Sequence, residues 1–117
     1  MLSIRPDQLS KFSEVALKQF EDLMVAHLNK FFPRRTKAAG EPTVRKFIRY
    51  GVQRAASYNI KAKRHVSRYI DLMVSLGADF DKDKQVPWAG QILKTRNSPE
   101  ARISVLLKTA QKHLRGA

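Results

Sequence analysis

Between Leu9 and Phe31 the apolar side chains return every three or four positions: Leu9, Phe12, Ala16, Phe20, Leu23, Met24, Leu28 and Phe31, with His27 on the same line. That is the period of a helix. It predicts one opening at Pro6, favoured there by Asp7 at the positive end of the dipole, and stopping at Phe32-Pro33 after about 40 Å at 1.5 Å per residue. Glu14 and Lys18 stand four apart on its wet side, where they can pair. Val25 falls among polar positions and is expected to be exposed. Residues 33–43, PRRTKAAGEPT, read as a connection with one helical turn before Gly40.

Pro42 can open a second helix whose stripe is Val44, Phe47, Ile48, Gly51, Val52, Ala55 and Tyr58. Gly51 lies in the middle of that stripe. A helical glycine costs about 1 kcal/mol relative to alanine, and close approach of a neighbouring helix is the expected compensation. Asn59, which tolerates a left-handed backbone, marks the break before a third helix. In that helix Val66, Tyr69, Ile70, Leu72, Met73, Val74 and Leu76 cover an arc of roughly 200°, so it should be covered on two sides. Gly77 is placed to end it. After an acidic turn, Pro87 opens a short helix to Lys94, with Trp88, Ile92 and Leu93 inward. Ser98-Pro99-Glu100 opens the last helix, with Ile103, Leu106, Leu107, Ala110 and Leu114 as its stripe and Val105 on its wet side.

No alternating strand pattern, internal repeat or low-complexity tract interrupts this series. The expectation is an all-α, single-domain bundle of four to five helices spanning residues 1–117. With no cysteine there is no disulfide framework, thiolate metal site or thiol nucleophile. No run approaches the roughly 20 apolar residues that span a bilayer. The chain is expected to be soluble and cytoplasmic where it is made, without membrane association.

The formal net charge is +13. Between Lys30 and Arg68 there are twelve basic residues against Glu41 alone, leaving +2 for the rest of the chain. A concentration of this kind attracts acidic partners. Arg45, Lys46 and Arg49 on the second helix and Arg64 and Arg68 on the third are the candidate partner-binding face.

Little else carries chemistry. Asp79, Asp81 and Asp83 imitate the start of a calcium loop, but Lys84 stands where that loop requires glycine and Gly90 where it requires a bidentate glutamate. Local pairing with Lys82, Lys84 or another helix fits them better. His27, His65 and His113 have no second ligand at metal spacing; His27, on an apolar stripe, suits a hydrogen-bonded boundary position. Trp88 suits a lid over the core, and Asp71 a surface pair with Arg68. There is no phosphate loop, nucleophile elbow or HExxH, so no catalytic residue, metal or cofactor is expected, and the chain does not read as an enzyme.

Arg68-Tyr69-Ile70-Asp71-Leu72-Met73, Gly77, Asp79-Phe80-Asp81, Pro87-Trp88-Ala89 and Ile92-Leu93 together resemble a group of small helical bacterial proteins encoded beside type VI secretion effectors and spike components. Residues 2–9, LSIRPDQL, and 26–33, AHLNKFFP, extend the likeness along most of the chain. The resemblance implies an accessory role, adaptor or chaperone-like, for a secreted toxin; export with that cargo is left open by the sequence. It carries over no site residues.

Three readings of the basic block follow. In the first, Arg45, Lys46, Arg49, Arg64 and Arg68 dock an acidic protein surface. In the second, the two helices and the Tyr58-Asn59-Ile60 turn form a helix-turn-helix; Lys61, Lys63, Arg64, Ser67 and Arg68 enter the major groove while Arg45 and Arg49 hold phosphates. Against the second, the reading helix has no Asn or Gln for adenine and is too apolar in its second half. In the third, the charge is a solvated face that serves solubility alone.

Overall fold

The structure, a computed structural model, describes residues 14–116. Helices account for most of them: α1 Glu14–Phe31, α2 Pro33–Ala39, α3 Glu41–Ser57, α4 Lys63–Leu76, α5 Pro87–Leu93 and α6 Pro99–Gly116, with a 3-10 turn at Phe80–Lys82. The chain is all-α, with no β-strand among the described residues. Among the described residues six helices stand where four to five were expected, and α2 is the addition. Thr36 Oγ1 donates to the Phe32 and Pro33 carbonyls, and Pro33 sits in the first turn, where a missing N–H costs nothing. A connection read as holding one helical turn therefore winds twice.

Element ends follow local chemistry. Pro87 and Pro99 open α5 and α6, and the Ser98 hydroxyl accepts the Ala101 amide at 3.1 Å. Asn59 adopts φ 62° and Gly77 φ 119°, so both breaks fall where the sequence places them. Pro6, Leu9 and Phe12 lie outside the described residues.

The buried side chains form one cluster. Helix α4 is its axis, packed by α1, α3, α6 and the 3-10 turn, with Val66, Tyr69, Ile70, Leu72 and Met73 buried. Cα extents of 45 × 37 × 19 Å make a slab about two helices thick. Gly51 does what its position predicts. A Cβ there would lie 2.6 Å from Ile70 Cγ1 and 2.9 Å from Met73 Sδ, so α3 and α4 meet where the side chain is missing.

Helix α1 departs from its predicted stripe. Phe20, Glu21, Met24, Val25 and Leu28 are buried, whereas Leu23 is 71% and Phe31 59% exposed. On a 100° wheel the inward face is turned by roughly 70° towards Glu21. The cause is electrostatic: Arg45 and Arg49 on α3 both bind the Glu21 carboxylate, which fixes the helix rotation and carries Val25 inside. Two pairings change with it. Lys18 meets Asp22 rather than Glu14, and Glu14 reaches Arg49.

Smaller departures lie at the other end. Trp88 is half-buried, its ring 5.8 Å from that of His113, while Val86, Ala89 and Leu93 take the inner positions of that corner. Leu114 is 52% exposed, on the last turn of α6. Arg102, an interior residue with no apolar pattern to announce it, is buried and donates to the Leu93 and Asn97 carbonyls, satisfying the end of α5.

Candidate partner-binding surface

The five predicted cations do not share a face. Arg45 Nη1 donates to Glu21 Oε1 and Asp22 Oδ1, both at 2.8 Å, and its Nε to Glu41 Oε2 at 3.2 Å. Arg49 Nε donates to Glu21 Oε2 at 2.5 Å, and its Nη1 to Glu14 Oε1 at 2.9 Å. Burial raises the Glu21 carboxyl pKa, but the two guanidinium bonds outweigh it and hold the group below the ordinary glutamate value of 4.5. Asp22 is likewise held low by Arg45 and Lys18. These two arginines therefore join α3 to α1. Lys46 is exposed beside them.

Arg64 and Arg68 behave differently. They are the two exposed side chains of α4. On the wheel they lie roughly 120–180° from Ile70 and Met73, the residues that touch α3 at Gly51. With His65 they line one wall of an open groove whose other wall is α6, contributing Glu100, Ile103, Ser104 and Leu107. The groove holds about 280 Å³. Arg64 Nε lies 3.3 Å from His65 Nε2, and Arg68 has no hydrogen-bonded carboxylate among the described residues. The groove thus combines exposed guanidinium groups with an apolar floor at Ile103 and Leu107.

Asp71 does not pair with Arg68. Its carboxylate takes His27 Nε2 of α1 at 2.8 Å, half-buried, and burial raises its pKa while His27 and Arg68 pull in the other direction. His27 is the hydrogen-bonded boundary histidine its place on the stripe suggests.

The aspartates after Gly77 hold the turn to α3. Asp79 accepts the Tyr50 hydroxyl; Asp81, buried, accepts from Arg54 and, at 2.5 Å, from the Tyr58 hydroxyl. Asp83 accepts the Gln85 amide at 2.8 Å. Burial, then the bond to Asp81, pushes the Tyr58 phenol up to about 12. Burial drives the Tyr69 phenol higher, with the Asp81 charge adding to it. Among the described residues no three His, Asp or Glu side chains gather as a metal-ligand group.

Sequence reasoning missed a second concavity. Phe32 and Thr36 of the α1–α2 corner, Val44 and Phe47 of α3 and Val74 of α4 line an apolar cleft of about 190 Å³, with the Arg35 guanidinium donating to the Val74 carbonyl at its edge. Its signal is faint in the sequence, because α2 itself does not stand out there. Among the described residues no helix is long and apolar enough to cross a membrane. No family model matches this chain, and neither curated proteins nor solved structures give a match.

Proposed function

We propose that this protein is a non-enzymatic accessory factor that binds an acidic protein partner through the α4–α6 groove. One observation carries the reading: Arg64 and Arg68 are exposed over the apolar floor of Ile103 and Leu107, whereas Arg45 and Arg49 are engaged by carboxylates of their own chain. The five-residue docking face therefore contracts to the two α4 arginines. Charges of this kind steer encounter and select the partner, and the apolar floor supplies area.

The resemblance to proteins encoded beside type VI secretion effectors supplies the candidate partner class, an effector or its adaptor. A helix-turn-helix role fits the geometry less well. A reading helix offers three or four side chains to base edges, and α4 exposes two while α1, α3 and α6 pack around it.

The test is co-purification with the purified acidic product of an adjacent gene. Arg64→Glu with Arg68→Glu should abolish the complex and leave the fold intact. A complex indifferent to that change removes the groove as the interface. Binding of random-sequence duplex that collapses between low and physiological salt, lost in the same variant, would instead favour phosphate as the target.

A further inference from the structure

We propose that the element seated in the α4–α6 groove is an acidic amphipathic helix of the partner, lying along α6. The inference rests on the docking reading above and adds the shape of what is bound.

Three features of the surface lead to it. First, the apolar floor does not end at Leu107. One heptad further along the same face of α6 stands Leu114, half exposed, so an apolar line runs on past the part of α6 that α4 covers. Second, this line lies between two basic rails. Arg64 and Arg68, four apart on α4, form one; Lys108 and Arg115, seven apart on the outer side of α6, form the other, and both are exposed without a carboxylate partner among the described residues. From Glu100 to Arg115 the surface extends about 22 Å at 1.5 Å per residue, some four helical turns. Third, the described residues hold no β-strand, only one isolated bridge residue at Ala62. An extended peptide would leave its backbone N–H and C=O groups without protein partners here, whereas a helix satisfies its own and presents only side chains.

A helix with apolar residues at spacings of three and four, flanked by carboxylates one turn apart, matches this surface in both period and charge. Glu100 works against this charge match. It is the carboxylate that lines the groove together with Arg64 and Arg68, at the start of α6, and it weakens the attraction for partner acids.

The experiment compares three fluorescein-labelled probes by fluorescence polarisation against the full chain at physiological salt. One is a peptide of about 15 residues, long enough to hold a helix, with Glu pairs four apart flanking Leu. The second has the same composition with a central proline, and the third is a short random-sequence duplex. The helical peptide should bind at least about tenfold tighter than the proline peptide. Arg64→Glu with Arg68→Glu, and separately Leu107→Asp, should each weaken it by a similar factor, and Glu100→Gln should tighten it. Equal binding of the two peptides, both dependent on Arg64 and Arg68, would overturn the helical occupant and leave acidic docking standing. No binding of either peptide would overturn both. Tighter binding of the duplex would replace protein by nucleic acid as the occupant. Leu107 is half-buried, so a second variant, Leu114→Asp on the exposed last turn, reads the apolar line without loading the core.

Discussion

Arg45 and Arg49 on α3, and Arg64 and Arg68 on α4, are two arginine pairs with the same four-residue spacing in the same basic stretch. They end in opposite circumstances. The α3 pair grips a carboxylate that is only 3% exposed, and through it sets the rotation of α1. The α4 pair stands in solvent at the mouth of a groove. Charge counted along the chain does not separate them, because the acids that absorb the α3 pair come mainly from α1. Glu14, Glu21 and Asp22 precede the basic block in sequence and fold back against it. What a cation does follows from whether the fold brings it a partner.

The sharpest way to break the comparison is to remove the α3 pair. Arg45→Ala with Arg49→Ala leaves Glu21 inside without its two guanidinium partners, and should lower the urea midpoint more than alanine at Gly51 or at Arg64 and Arg68 does. Both arginines are partly open to water, which moderates the loss. Urea denaturation measures it, and a loss under about 0.5 kcal/mol would make the clamp a surface decoration.

Next in size is Gly51→Ala. Its Cβ must displace Ile70 and Met73, which costs about 1–3 kcal/mol, while the gain in helix propensity returns about 1. A net loss of about 1 kcal/mol is expected from the same denaturation experiment. A gain would mean that the α3–α4 contact has room to spare.

Acid should act on the α1–α3 side first. The folded pKa of Glu21 is depressed, so its contribution is complete above the ordinary value of 4.5 and is lost as pH falls below it through the folded pKa. The urea midpoint of the wild type should therefore fall as pH drops below about 4.5, and Glu21→Gln should flatten that fall. An equally steep fall in the variant would assign the acid sensitivity elsewhere.

The smallest expected change in stability belongs to the α4 pair. Arg64→Ala with Arg68→Ala should stay within about 0.5 kcal/mol of wild type, as exposed substitutions do. A larger loss would show these arginines to be structural as well.

Much of this fold is legible from side-chain period alone. The α3 stripe, the close approach at Gly51, the left-handed Asn59 and the stop at Gly77 all follow from rules that act within a few residues. The face that α1 turns inward was not legible. Its apolar pattern is broad enough to permit more than one rotation, and the choice is made by Glu21 meeting arginines 24 and 28 positions away. Helix α2 was expected as a single turn for a related reason. It has no buried residue, so it carries no apolar stripe, and it is held by Pro33 and by Thr36 bonding back to the preceding turn. Of the candidate site, the residue type and the two positions on α4 could be read. The partition between engaged and exposed arginines could not, because it depends on which helix packs against which.

The most direct test of that partition is the affinity of the helical Glu/Leu peptide for two charge-reversed proteins, each with its urea midpoint measured alongside. Arg64→Glu with Arg68→Glu should lose binding by about tenfold or more at an unchanged midpoint, while Arg45→Glu with Arg49→Glu should lower the midpoint by a wide margin. Binding retained in the first protein, or a midpoint unmoved in the second, would contradict that partition.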